Sequence, residues 1–187
     1  KFLLMAGNGR FYTLSGDKLP RGRGFGEPLS LMLDIPADAS IIAIMRGGIG
    51  KMLVASNAGH GMIVDMQSAI AQTRSGKQVL NLGAGGKAVI CVPAQGDMVA
   101  VVGQNRRLLV FALSELPEMT RGKGVILQRY RDGELADIKV FESEAGLTWQ
   151  MGGGRTRTET DLLTWTGKRG SAGKLPPTGF PRPARFT

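Results

Sequence analysis

The sequence has little of the chemistry that most active sites use. Its 187 residues include one cysteine and one histidine. An internal disulfide is therefore excluded, and a zinc site or a Cys–His dyad has little support because the two residues are far apart in the sequence. His60 lies in a predicted hairpin turn, and Cys91 lies in the apolar run AVICVP, which is typical of a small core residue. Such low cysteine usage fits a reducing cytoplasm.

Long apolar segments are also missing. No run reaches the roughly 18 apolar residues of a membrane span, and no signal peptide is visible. The chain does not begin with methionine, so we expect it to be a piece of a longer protein. Helical periodicity is confined to single turns predicted over 68–72 and 113–118.

Glycine and positive charge are abundant. The 28 glycines predict many tight turns, as in an all-β protein of short strands. Lysine and arginine number 24 against 15 acidic residues, which gives a formal net charge of +9. This balance favours a polyanionic partner, nucleic acid before an anionic membrane surface, and the alternative is charge that serves solubility alone.

One hairpin pattern recurs along the chain. Short apolar runs flank turns centred near residues 8–9, 58–59, 104–105 and 153–154, about 50 residues apart. Each unit carries about four short strands, the content of one propeller blade. The sequence predicts a single all-β domain over 1–187, a propeller-like fold of four to five four-stranded blades. Its repeats are about 1–48, 49–96, 97–146 and 147–175, followed by an extended, mobile proline-rich tail over 176–187.

A basic glycine loop follows each hairpin. The first to fourth basic loops are PRGRGF (20–25), TRSGKQV (73–79), TRGKGV (120–125) and KRGSAGKL (168–175). Matching their glycine–basic pairs aligns Gly22, Gly76, Gly122 and Gly173. Beyond the first three loops the sequence predicts further strand pairs, beginning with LSLMLD (29–34) and IIAIM (41–45).

The glycine-rich segments do not match nucleotide-binding motifs. GAGGKAV (83–89) and GIGKM (48–52) lack the spacing and the Ser/Thr of a phosphate-binding loop, and no helix follows the glycines at 22–26. Tyr12 and Tyr130 stand in alternating strand contexts and are interpreted as packing residues, as are Trp149 and Trp165. No catalytic or metal-binding residues are predicted.

In a propeller, equivalent loops of successive blades lie at equivalent positions, so the basic loops are expected to share one rim. Contacts from such a rim to a duplex backbone would be largely independent of base sequence. The alternative is glycine-rich turns with solvated charges. The predicted DNA-binding residues are Arg21, Arg23, Arg74, Lys77, Arg106, Arg107, Arg121, Lys123, Arg155, Arg157, Arg169 and Lys174.

The hairpin FLLMAGNGRFYTL, the loops AQTRSGKQVLNL and MTRGKGVILQRY, and the ending RTRTETDLLTWTGKRGSAGKLPPTGFPR resemble the C-terminal domain of type IIA DNA topoisomerase A subunits. Within that group the chain is more similar to the bacterial topoisomerase IV branch than to gyrase, whose QRRGGRG-type box is absent. The four units counted here are fewer than the five or six blades usual in the family.

The resemblance implies a β-pinwheel, a propeller-like ring in which neighbouring blades exchange strands and whose basic perimeter binds and bends the transported duplex. It implies a parent enzyme that relaxes supercoils and decatenates chromosomes, using ATP and Mg on other domains, with no cofactor in this one. Implied partners are double-stranded DNA, the N-terminal part of the same polypeptide, and the B subunit in a heterotetramer, with this domain monomeric. The implied location is the cytoplasm, at the nucleoid, with peripheral association of the parent enzyme with the inner membrane left open. The alternatives are the gyrase-type wrapping domain and a propeller that binds protein.

Overall fold

Thirteen short antiparallel strands in four sheets make up the fold. The computed structural model describes residues 1–22, 24 and 26–187, and those residues contain no α-helix. The strands are β1 (Phe2–Ala6), β2 (Arg10–Leu14), β3 (Ile41–Arg46), β4 (Lys51–Ser56), β5 (His60–Asp65), β6 (Lys77–Gln78), β7 (Ala88–Pro93), β8 (Met98–Gly103), β9 (Leu108–Ala112), β10 (Val125–Ile126), β11 (Leu135–Phe141), β12 (Leu147–Gln150) and β13 (Thr156–Glu159).

Single 3₁₀ turns are the helical elements of this part of the chain. They span Gly16–Lys18, Leu29–Leu31, Met66–Ala69, Leu113–Glu115 and Gly152–Gly154. The third and fourth turns overlap the segments in which the sequence predicts helical turns. Within the described ranges, no helix has the length and hydrophobicity needed to cross a membrane.

All four predicted hairpins are present, as the pairs β1–β2, β4–β5, β8–β9 and β12–β13. Gly9 and Gly59 close the first two turns with φ of 81° and 84°, a region that glycine enters without steric cost. The third turn places Arg106 there instead, at φ 62°. Its neighbour Asn105 supports the turn, because Oδ1 of Asn105 accepts the backbone N–H of Arg107.

Neighbouring units exchange strands. The first sheet has the order β3-β1-β2-β6 and the second has β10-β5-β4-β7, so each takes its edge strand from the following repeat. The third sheet, β11-β8-β9, is extended by bridges from Thr166 and Lys174 of the fourth repeat. This exchange is the β-pinwheel arrangement, and the predicted fold is confirmed. Among the described residues, only the first two sheets have four regular strands, because irregular segments complete the third and fourth.

The strands at the other end of each sheet lie towards the interior of the ring. β3 contacts β7, and β7 contacts β11, along the series of sheets. The exchanged strands β6 and β10 therefore occupy the outer edges. This order places the second and third basic loops, which lead into β6 and β10, on the outside of the molecule.

The core lies between successive sheets. Because strand side chains alternate between faces and both faces are covered, β4 carries a continuous buried run, Met52 to Ser56. Met52 and Val54 pack towards the first sheet, whereas Leu53 and Ala55 pack towards the third. The outer face of the first sheet is covered by its own connection, through residues such as Leu33.

The strand predicted over 29–34 is wrong. The backbone N–H groups of Met32 and Leu33 both donate to the carbonyl of Leu29, which makes a helical turn. Leu29 and Leu33, four residues apart, then pack together against Leu4 and Tyr12 of the first sheet. Apolar residues spaced for one side of a turn satisfy this surface better than an alternating strand would.

The proline-rich tail has no regular strand, as expected, but it packs into the core instead of extending away from it. Phe180, Ala184 and Phe186 are buried with Trp149 between the third and fourth sheets. The ring centroids of Trp149 and Phe180 lie 5.4 Å apart. The aromatic residues of the tail supply apolar surface that the fourth unit lacks.

Candidate nucleic-acid interface

The second, third and fourth basic loops each reach the outer edge of the preceding sheet. Lys77 pairs with Phe11 of β2, and Val125 pairs with Gly61 of β5. In the fourth loop Lys174 exchanges both backbone hydrogen bonds with Leu108 of β9. Backbone pairing thus fixes three basic loops to three successive sheets.

Successive loops also contact each other. Gly122 of the third loop donates its N–H to the carbonyl of Val79 in the second loop across 2.9 Å, and its own carbonyl accepts the N–H of Asn81. Gly170 of the fourth loop donates to Leu127, just beyond the third loop, across 2.9 Å. We call the continuous surface formed by residues 73–81, 120–129 and 168–175 the outer rim.

Close approach of backbones explains the glycines of the rim. Gly76, Gly124 and Gly173 have φ of 75°, 81° and 81°. At each, an added Cβ would collide with a carbonyl oxygen of the adjacent strand, that of Phe11, Gly61 or Leu108. The structural equivalent of Gly76 is therefore Gly124, so the alignment of Gly76 with Gly122 is wrong by two residues. The sequence alignment paired the two glycines that precede a lysine, Gly76 and Gly122. In the structure, the equivalent glycines are those that lie against a strand, Gly76 and Gly124.

Five of the predicted DNA-binding side chains are exposed and have no hydrogen-bond acceptor among the described residues. Arg21 lies in the first loop, Arg107 and Arg155 follow the third and fourth hairpin turns, and Lys123 and Lys174 lie on the outer rim. These charges are available to an external anion.

Three others are exposed but make contacts with the protein. Arg74 donates to the carbonyl of Leu31 and pairs with Asp34 at 3.5 Å. Lys77 donates to the carbonyl of Ser68, and Arg121 donates to Asn81. At exposed positions such contacts contribute little to stability, so these side chains can also exchange them for phosphate oxygens.

The remaining predicted arginines have structural roles in the fold. Arg106 donates from both terminal nitrogens to the carbonyls of Phe180 and Pro181, at 3.1 and 2.6 Å, and burial lowers its pKa. Arg157 donates to the carbonyl of Thr178 and lies 5.5 Å from the centroid of Trp149. Both hold the tail. Arg169 donates to the carbonyl of Ile126 at 2.6 Å, which fastens the fourth loop to the third. Arg23 lies outside the described residues.

A cleft of about 740 Å³ separates the third and fourth loops. Its lining includes five basic or titratable side chains and no carboxylate, namely His60, Lys123, Arg129, Lys168 and Arg169. Sequence reasoning did not select His60, Arg129 or Lys168 for binding. Lys168 directly precedes Arg169, which was predicted to bind DNA. The strand exchange is what brings β5 and residue 129 beside Lys168.

The side chains of Cys91 and Tyr130 are partly buried and stay protonated near neutral pH. Burial raises the pKa of the Cys91 thiol to about 12 and also raises the pKa of Tyr130. Tyr12 and Trp149 are fully buried core residues, in agreement with their predicted packing role. Across residues 1–22, 24 and 26–187, no three His, Cys, Asp or Glu side chains are grouped to hold a metal ion.

Comparison with known proteins gives a consistent result. A family described as DNA gyrase C-terminal domain, beta-propeller, matches residues 97–136. The A subunit of DNA topoisomerase 4 from Rickettsia bellii is 42% identical over 187 residues, and that from Caulobacter vibrioides is 44% identical over the same length. The alignments cover 100% of this chain but 25% and 24% of those relatives. The solved structure of the E. coli ParC C-terminal domain matches with a TM-score of 0.82 and 28% identity, covering 95% of this chain and 76% of that one. Over its whole length the chain is similar to A subunits of DNA topoisomerase 4, and it shares the fold of the ParC C-terminal domain.

This similarity confirms the resemblance drawn from the sequence. Both relatives carry the name of the topoisomerase IV branch. A structure of the DNA gyrase A C-terminal domain shares the fold, with a TM-score of 0.71 at 13% identity. The chain spans about a quarter of the length of the curated relatives it matches.

The first basic loop differs from the other three. An added Cβ at Gly22, Gly24 or Gly26 would meet no described atom within 4 Å, although all three have positive φ. Positive φ is the feature of these glycines that the described residues show, whereas the glycines at 76, 124 and 173 of the outer rim also allow backbone contact with a neighbouring sheet.

Proposed function

We propose that this chain is the domain of a topoisomerase IV A subunit that binds and bends DNA, and that it captures the duplex to be transported. The observation that carries the proposal is the outer rim, where backbone hydrogen bonds join three basic loops from successive repeats, either directly or through the residues that follow a loop. A single loop would offer an isolated charge, whereas a continuous series can follow a duplex over several phosphates.

The free-energy cost of bending DNA favours binding along the whole rim over binding at any one loop. Curving 20–30 base pairs costs on the order of 1–6 kcal/mol. Exposed cations distributed along the rim offset that cost by contacting phosphates on either side of the bend. Six phosphate contacts correspond to roughly a thousandfold loss of affinity between about 50 and 200 mM salt. The net charge of +9 is consistent with such binding.

The proposal also covers the longer protein to which this domain would belong. We infer an A subunit whose other domains cleave DNA through a tyrosine. Its partner is the B subunit, where ATP and Mg are used, in a heterotetramer of the cytoplasm at the nucleoid. Relaxation and decatenation in chromosome segregation belong to that assembly. This domain by itself is expected to be a monomer that binds duplex DNA without passing strands.

Fluorescence anisotropy with a roughly 40-base-pair duplex tests the proposal. The rim variant Lys123→Gln/Lys174→Gln is compared with Arg46→Gln/Lys87→Gln, which removes two exposed charges at inner strands. We expect a steep salt dependence of log Kd, with its slope reduced by about two in the rim variant alone.

Equal slopes of log Kd against log salt in the two variants would show that DNA does not bind at the outer rim. Absence of binding at low salt would favour a propeller that binds protein. End-to-end energy transfer across the same duplex reports bending. A change in linking number of a closed circle would instead favour gyrase-type wrapping.

A further inference from the structure

The cleft between the third and fourth basic loops differs from the rest of the outer rim because it is concave and carries charge of one sign. We propose that it holds a phosphate group of the bound duplex and that His60 is a ligand there whose charge depends on pH. This inference rests on the proposed DNA-binding function and adds a site and a regulation to it.

Charge around the cleft supports an anionic occupant. Lys123 comes from the third loop, Arg129 follows β10, and Lys168 and Arg169 come from the fourth loop. No carboxylate lines the cleft to neutralise them. Val125 and Ile126 form an apolar part of the wall, and removal of water from this wall strengthens the attraction of the cations for a phosphate.

Two buried nitrogen atoms give an independent reason to expect a ligand. Nδ1 of His60 and Nε of Arg169 are buried without a hydrogen-bond partner among the described residues. Buried polar atoms are normally paired, and leaving one unpaired is unfavourable. Both belong to side chains that line the same cleft, so a turn of either side chain towards an oxygen-rich anion there would supply the acceptor that this part of the chain lacks.

His60 gives the site its dependence on pH. Burial, with the nearby positive charge of Lys123, lowers the pKa of the imidazole, so His60 is neutral at pH 7 in the free domain. The other charged groups that line the cleft are all cationic: Lys123 of the third loop, Arg129 beyond β10, and Lys168 and Arg169 of the fourth loop. A phosphate placed among them reverses the local field and favours the imidazolium. Binding then takes up a proton, and affinity rises as pH falls through the pKa of the imidazole.

The imidazole can be followed directly because the chain has a single histidine. We would measure the His60 pKa by NMR between pH 5 and 8.5, in the free domain and with a saturating 20-base-pair duplex at low salt. The expected result is a rise of about one pH unit on binding, which corresponds to a tenfold change in affinity. Anisotropy should show the matching gain in affinity between pH 8 and 5.5, and His60→Gln should lose it.

Lys168→Gln is the second variant, because the exposed Lys168 side chain has no acceptor among the described residues and its loss should leave the fold intact. It should weaken binding and shrink the rise in the His60 pKa. Lys87→Gln, a charge removed near an inner strand, should change neither. Inorganic phosphate alone serves as the probe for a free anion. A pKa that responds to phosphate but not to duplex would overturn the assignment to DNA.

Failure of this inference can be separated from failure of the proposed function. If the duplex binds with a steep salt dependence while the His60 pKa and the pH profile stay unchanged, the cleft is not a phosphate site but the rim still binds DNA. If no duplex binds at any pH, both proposals fall.

Discussion

The backbone N–H of Phe186 donates a hydrogen bond to Oδ2 of Asp137 across 2.7 Å. On its other side the Phe186 carbonyl accepts the N–H of Gln150 in β12 at 2.8 Å. In the first three sheets β3, β7 and β11 hold the corresponding place beside the central strand, so the tail fills the inner-strand position of the fourth sheet. Burial raises the pKa of Asp137, and the N–H groups of Phe186 and Ile138 partly oppose that effect.

Truncation of Phe186 should destabilise the domain through this unit. Phe186→Ala removes a fully buried ring that meets Phe180 edge-on at 5.6 Å, and we expect a loss of about 3–5 kcal/mol in the free energy of unfolding. Urea denaturation followed by tryptophan fluorescence measures it, since Trp149 packs in the same cluster. Leu163→Ala, at a residue 82% exposed, should change stability by less than about 0.5 kcal/mol. Equal effects of the two substitutions would contradict a docked tail.

Substitutions of the two adjacent arginines in the third hairpin turn should have different effects, one on stability and the other on DNA binding. Arg106→Ala leaves two tail carbonyls without their charged donor and should cost about 2 kcal/mol in the free energy of unfolding. Arg107→Ala removes an exposed charge and should weaken duplex binding with little change in stability. Denaturation and anisotropy on both variants check the split, and the opposite pattern would show that the tail does not depend on Arg106.

Gly124 should tolerate no side chain. In Gly124→Ala the new methyl group collides with the Gly61 carbonyl and φ stays positive, so we expect a loss of about 3 kcal/mol or more. Gly85→Ala is the matched control, because Gly85 has φ of 71° but open space around it. Its loss should be about 1 kcal/mol, from backbone conformation alone. Similar values for both would mean that β10 does not pack as closely on β5 as described.

Asp97 should make stability depend on pH in the acid range. Its carboxylate accepts the hydroxyl and the N–H of Ser143, both at 2.7 Å, which lowers its pKa. A lowered carboxyl pKa contributes stability above the ordinary value near 4, and that stability is lost as pH falls through the folded-state pKa. Urea midpoints between pH 6 and 2 should therefore fall less steeply for Asp97→Asn. Asp17→Asn, at an exposed side chain without a described donor, should follow the unaltered chain.

Local chemistry explains why the hairpins could be predicted. The turn at Asn8 and Gly9 carries its own signal, since Asn8 accepts the N–H of Arg10 and Gly9 supplies the positive φ. The strand prediction for segment 29–34 was wrong because its alternating apolar residues also fit one helical turn. The face of the first sheet that this segment covers is formed by distant residues, so the segment alone does not indicate it.

The candidate interface was predicted in part for the same reason. The sequence located the basic loops, but it did not distinguish Arg106, bound to the tail, from Arg107, exposed beside it. His60, the residue set aside as a turn histidine, lines the cleft because β10 pairs with β5. Contacts between distant segments decided these roles.

By itself the sequence determined the all-β character, the repeat of about 50 residues, the hairpins and the excess of positive charge, because turn chemistry, alternation and composition are local properties of a chain. Only the tertiary structure decided which sheet each basic loop completes and which cations remain free. Strand exchange pairs Lys77 with Phe11 and Val125 with Gly61, and such pairings depend on how whole sheets pack, which no short stretch of residues encodes.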